Sequence, residues 1–217
     1  MGKTYNLGMF EEAIRDLSML VDRGGYVMIP LLILSIVSVS LILERCWFWY
    51  SVEGRDSMRR LEKLNAFLRD GDIEAGGKIV NQDSSPYGAV AKSLLDIGAS
   101  DAVAMEAVEL QRPRIDRFMV ALSTIITAAP LLGILGTVLG IIQSFRLLGD
   151  QAVLTDPSDV AGGIAAALLT TALGLIIALV TLFPYMLFKG WSTRALGRLE
   201  ALIAAAQQGL PTERQTK

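Results

Sequence analysis

Three runs along this chain, 26–43, 118–145 and 160–188, carry no charged residue. The first is about 18 residues long, near the minimum for a transmembrane helix. It ends in the sequence ERCWFWY, where charges and the aromatics Trp47, Trp49 and Tyr50 suit the headgroup zone. Each of the other two extends over about 28 residues, or roughly 42 Å as a helix. That exceeds the roughly 30 Å hydrocarbon core, so both are expected to project beyond the membrane at one end. Between the first two runs the pattern changes. The stretches MRRLEKLNAFLRD and VAKSLLDIGAS place apolar residues at helical spacing and read as amphipathic helices. GDIEAGG, beginning at Gly71, reads as a helix-to-helix turn and lacks the lysine-serine ending of a phosphate loop. Near the start, Phe10, Ile14, Leu17, Leu20 and Val21 predict an amphipathic helix, lying on the membrane surface or against other protein. Mixed charge and the missing small-residue cleavage site argue against a signal peptide there. Neither strand alternation nor an internal repeat is present. The predicted fold is an all-α integral membrane protein with three transmembrane helices, the second and third extending into the cytoplasm, and a helical cytoplasmic insert.

Composition agrees: of 217 residues, 52% are hydrophobic and 19% charged. The net charge of −2 gives no electrostatic footprint for nucleic acid. One cysteine, Cys46, and no histidine leave neither a disulfide within one chain nor the usual zinc ligand sets. No nucleophile turn of the Gly-x-Ser-x-Gly kind occurs, and no aspartate lies inside a span. No catalytic residue, metal or cofactor is therefore expected, and the chain is not read as an enzyme. Cys46, Tyr26 and Tyr185 read as ordinary interface or packing residues, Cys46 half-buried.

Lysine and arginine set the orientation. Arg55, Arg59, Arg60, Lys63 and Arg69 follow the first span, and Arg112, Arg114 and Arg117 precede the second. The connection 146–159 has one basic and three acidic residues, whereas Lys189, Arg194 and Arg198 follow the third span. The positive-inside rule puts the N-terminus outside and the C-terminus inside. The chain then divides into 1–25, an amphipathic segment on the outer side; 26–44, the first transmembrane helix; and 45–117, a cytoplasmic insert. After these come 118–145, the second transmembrane helix; 146–159, an outer loop; 160–188, the third helix; and 189–217, a cytoplasmic C-terminal helix and tail.

On a helical wheel, Leu131, Leu132, Leu135, Leu139 and Ile142 share one side of the second span. Thr124, Pro130, Gly133, Gly136, Thr137, Gly140 and Ser144 share the other. In the third span Gly163, Ala167, Thr170, Gly174, Ala178 and Thr181 form a stripe bordered by Thr171, opposite Leu168, Leu175, Ile176, Leu179 and Phe183. Small stripes let helices approach closely in lipid, where apolar driving force between helices is weak. For the glycines, packing alone is sufficient explanation. Thr127, Thr170 and Thr171 either bond back to their own helices or line a polar seam where something passes or docks. Pro130 and Pro184 each free a carbonyl one turn earlier, giving kinks. Intramembrane ion transfer generally needs an ionisable group, and neither long span has an Asp, Glu, Lys or Arg. If the chain conducts, another subunit supplies the carboxylate.

TAAPLLGILGTVLGIIQSF in the second span and GGIAAALLTTALGLIIALVTLFPY in the third resemble the signature patterns of the ExbB/TolQ/MotA family of ion-motive-force motor subunits. GGYVMIPLLILSIVSVSLILER at the first span is similar too, and three spans favour the ExbB/TolQ branch. The resemblance implies a bacterial inner-membrane channel subunit, a pentamer around two copies of an ExbD- or TolR-like partner. That partner's single transmembrane helix carries the ion-binding aspartate. A TonB- or TolA-like protein is a further partner, through which ion flow drives work at the outer membrane. By motif position, Thr127 and Thr171 belong to a ring of hydroxyls near that aspartate. Ala166 stands where many relatives have glutamate, so no obligatory relay through that position is expected, and the choice between proton and sodium stays open. The rival reading is a non-conducting oligomeric membrane scaffold.

Overall fold

The computed structural model describes residues 25–149 and 157–212. Nearly all of the expected N-terminal amphipathic segment and the middle of the expected 146–159 loop lie outside the described residues. Within them are seven helices and no strand: α1 (Met28–Val52), α2 (Arg55–Asp70), α3 (Ile73–Val80), α4 (Pro86–Ile97), α5 (Asp101–Ile115), α6 (Met119–Gly149) and α7 (Pro157–Gly209). Three helical stretches, Met28–Val52, Asp101–Arg146 and Val160–Gly209, are long and apolar enough to cross a membrane. The fold is that of an all-α membrane protein, as the hydropathy pattern requires.

Local signals set the ends of the short helices. The Ser85 hydroxyl accepts from the Gly88 N–H at 3.2 Å, with Pro86 in the first turn of α4. Ser100 caps α5 through the Val103 N–H in the same way. Gly71 ends α2 with φ 72°, a left-handed conformation that favours glycine. One expectation fails here. The turn is only Gly71 and Asp72; Asp72 accepts from the Ala75 N–H and starts α3, so most of the GDIEAGG stretch is helical. The glycine pair misleads because adjacent glycines read as a turn, although both lie inside α3. A Cβ at Gly76 would make ordinary contact with the Leu95 methyls at 3.5 Å, and nothing lies within 4 Å of one at Gly77.

The chain forms two compact units. One comprises the residues up to Ile42 with Ala121–Pro184. Its core joins Val27, Leu31, Ile125, Ala129 and Ile177, with Leu34, Leu41, Leu132 and Leu173 against it. Here α6 and α7 run antiparallel: Gly174 meets Ala129, Gly133 meets Thr171, and Gly140 meets Ala167. Leu131, Leu135, Leu139 and Ile142 of α6, and Leu168, Leu175, Ile176, Leu179 and Phe183 of α7, are exposed on the opposite faces. Leu132 departs from the wheel by turning into the core.

The second unit comprises Leu43–Val120 and the residues from Tyr185 onward. Leu61, Leu64 and Leu68 of α2, Tyr87, Val90, Ala91 and Leu94 of α4, and Leu199, Leu202, Ala205 and Ala206 of α7 are buried in it. The end of α7 closes on the insert: Gln207 donates to Asp101 at 2.7 Å, and the Ala99 N–H donates to the Pro211 carbonyl at 3.2 Å. A Cβ at Gly71 would come within 2.7 Å of the Gly209 carbonyl oxygen, so the two chain segments touch backbone to backbone. Arg45, 1% exposed, donates to the carbonyls of Arg114 and Ile115, both at 3.2 Å, and pairs with Glu44. It satisfies the open carbonyl end of α5 just before the chain turns at Phe118 (φ 63°) into α6. Arg198 forms an ion pair with Glu53 and lies 3.5 Å from the Tyr87 hydroxyl. Burial pushes the Tyr87 phenol up from its ordinary pKa, with Arg198 acting in the opposite sense.

Candidate functional site

The unusual chemistry of the long spans gathers where α6 and α7 come closest. Gly133 has no side chain, and a Cβ there would lie 2.9 Å from both the Thr170 carbonyl oxygen and the Thr171 Cα. That approach brings hydroxyls to the Gly133 carbonyl: Thr137 donates from its own helix at 3.0 Å, Thr171 from α7 at 2.8 Å. Thr170 also reaches it at 3.2 Å, but lies closer to the Ala167 carbonyl at 2.7 Å. The Thr137 and Thr171 hydroxyl oxygens are 2.5 Å apart.

Each hydroxyl has a single proton, so these bonds cannot all form at once. Either Thr171 donates to Thr137 and Thr137 to Gly133, or the donation runs through Thr171 instead. Reorienting two O–H bonds exchanges the arrangements without moving a heavy atom. A polar seam of this kind can orient a water, a carboxyl group or a hydrated ion. It has no group that holds a charge of its own.

Among the predicted site residues, Thr170 and Thr171 share the Gly133 carbonyl. Thr127 lies apart, exposed on the subunit, its hydroxyl donating to the Thr124 carbonyl at 2.9 Å. Thr181 is fully buried and donates to the Ile177 carbonyl at 2.7 Å. Gly136 abuts the Thr170 side chain, Gly140 faces Ala167 and Gly163 faces Ser144. Pro130 and Pro184 lie inside the unbroken helices α6 and α7, each removing one backbone donor. Ala166 is half-buried. Thr137 was on the polar face of the wheel but not among the predicted site residues. Its spacing of four from Gly133 was the available signal. Ser144, on the same polar face, is buried with no hydrogen-bond partner for its hydroxyl. Among the described residues no cluster could hold a metal ion.

Fold and seam together define a multi-pass membrane protein whose close-packed pair of spans is polar inside yet without charge. Residues 91–201, which include the whole seam, match the MotA/TolQ/ExbB proton channel family. An ExbB-like biopolymer transport protein of Synechocystis sp. is 32% identical over 183 residues, covering 82% of this chain and 87% of the relative. An ExbB homolog of Methanothermobacter thermautotrophicus is 28% identical over 184 residues, covering 82% of this chain and 65% of its own. The Tol-Pal system protein TolQ of Pseudomonas aeruginosa is 36% identical over 94 residues, covering 42% and 39%. The chain belongs to the MotA/TolQ/ExbB proton channel family, whose members act in transport.

Proposed function

We propose that the chain is the channel-housing subunit of an ion-driven rotary motor of the ExbB/TolQ branch, seated in the bacterial inner membrane. In this reading copies of it form a pentamer around two ExbD- or TolR-like helices, each supplying a transmembrane aspartate. Proton flow past that aspartate turns the assembly and drives a TonB- or TolA-like protein. The N-terminus faces the periplasm and the C-terminus the cytoplasm, following the basic residues that flank the spans. The segment division given above then separates a membrane part from a cytoplasmic base.

One observation carries the reading: α6 and α7 bring hydroxyls together around the Gly133 carbonyl, while no Asp, Glu, Lys, Arg or His occurs in 118–145 or 160–188. Such a seam supports an acid brought from outside and cannot replace it. Thr127 and Thr171, which are not fully buried in the subunit, face the partner helix. Thr170 and Thr181, fully buried, act behind them by holding the helix pair. With alanine at 166, the ion path does not run through a housing carboxylate at that position.

Cysteine cross-linking in a Cys46→Ser background tests the placement. With the partner's aspartate replaced by cysteine, Thr127→Cys and Thr171→Cys should form disulfides to it, and Thr181→Cys should not. Cross-linking at 181 alone overturns the assignment.

A further inference from the structure

The second unit contains a cavity of about 810 Å³ that the motor reading does not use. Its wall includes Trp49, Tyr50 and Trp191 together with Arg55, Ser57 and Arg60. Two of these side chains hold buried polar atoms with no partner: the Trp49 indole N–H, on a residue 1% exposed, and the Ser57 hydroxyl, on one 2% exposed. Unsatisfied buried groups of this kind cost free energy unless a ligand supplies the missing bond. A small, mostly polar cleft of about 90 Å³ adjoins it, sharing Ser57 and Arg60 and adding Arg114 and Asp83, whose charges offset each other.

The electrostatics indicate the sign of the ligand. Glu53, also on the wall, is already paired with Arg198. That leaves Asp56 against the exposed Arg55 and Arg60, for which no ion pair occurs among the described residues. The surplus is one positive charge, matching a monoanion. Position indicates the source. Trp49 and Tyr50 follow the last apolar residue of the first span, Leu43, by about two helical turns, a depth of roughly 10 Å. That is where aromatic and basic side chains meet headgroups. Tyr50 itself and the neighbouring Trp47 are 84% and 80% exposed, as belt residues would be.

We infer that this cavity binds the headgroup of an anionic glycerophospholipid. The phosphate accepts from Arg55, Arg60, the Ser57 hydroxyl and the Trp49 indole, while the glycerol backbone lies against Tyr50 and Trp191. The single cysteine provides the readout, because Cys46 is exposed and lies on the same wall.

The test measures the rate at which a maleimide labels Cys46 in the full-length protein in mild detergent. Added phosphatidylglycerol should slow labelling about tenfold, and Arg60→Gln or Arg55→Gln should raise the lipid concentration needed by a similar factor, the loss expected for one charge-assisted contact. Both arginines are exposed, so the variants should keep the wild-type melting temperature. Equal protection by phosphatidylcholine overturns the headgroup assignment. Protection by glycerol 3-phosphate at the same concentration shows a free phosphate ester site instead. A Cys46 that is unreactive before lipid is added and reacts once the oligomer dissociates shows that a second copy covers the cavity.

Discussion

At the residue scale, the same amino acid answers to different constraints at different places in one helix pair. Alanine exceeds glycine in helix propensity by about 1 kcal/mol, so glycine-to-alanine changes tend to stabilise helices. At Gly197 of α7 nothing lies within 4 Å of the added Cβ, and Gly197→Ala should raise the melting temperature. At Gly133 the Cβ would meet backbone atoms of Thr170 and Thr171, which cannot rotate away. Overpacking there costs about 1–3 kcal/mol, which outweighs the propensity gain. Gly133→Ala should therefore lower the melting temperature of the purified protein; stabilisation by both would refute the close approach. Thr171→Val keeps the shape and removes the hydroxyl, at a stability cost of about 1 kcal/mol. Its assembly should persist while energised function falls, and wild-type activity would count against the seam. The positions of the small residues were legible in the sequence, because periodicity alone puts them on one face. Their bonds were not, because whether a threonine in lipid bonds to its own helix or across depends on helix separation. Thr127 and Thr181 bond within their own helix, whereas Thr171 bonds across.

Helices and their ends make up the next scale. The long apolar spans were legible from hydropathy, since the bilayer leaves few alternatives for such runs. The GDIEAGG stretch reads as a turn because it holds two adjacent glycines, but the Asp72 cap starts α3 and carries both glycines into the helix. Arg45 is the other lesson. By sequence it is a basic flank of the first span; in the fold it is buried against the last carbonyls of α5. Arg45→Met should leave those acceptors unsatisfied and destabilise by about 1–3 kcal/mol in denaturant titration. Lysine should not restore the full loss, because one ammonium cannot serve the two carbonyls and also replace the Nε/Nη2 fork that Arg45 presents to Glu44. Cys46, expected to be half-buried, is exposed, because its neighbours Arg45 and Trp49 take the inward-facing side of α1. Tyr87 gives a pH prediction. Its phenol holds its proton more tightly folded than unfolded. The folded state thus binds more protons above the unfolded tyrosine value of about 10, and stability falls as pH rises through and beyond it. That contribution is fully present below the unfolded value. Tyr87→Phe should flatten the alkaline limb of the stability curve, and an unchanged limb would rule the contribution out.

For the whole molecule, sequence hydropathy separates membrane from water, while contacts draw a different boundary. The insert between the first two spans shares its core with the residues after Tyr185, so a hydrophobic core is built from segments far apart in the chain. Charge patterning could not reveal this, since Leu199, Leu202 and Ala206 read as one face of an ordinary amphipathic helix. The fold is that of an all-α membrane protein, the chain belongs to a proton channel family, and on the proposed function the missing charge in its spans sets its limits as a conductor. The most direct measurement is proton flux into vesicles holding this chain alone, compared with vesicles holding it together with the single-span partner proposed for it. The account predicts no flux above the lipid background for the chain alone, and flux with the partner that disappears when the partner's aspartate becomes asparagine. Equal flux from the chain alone would contradict it.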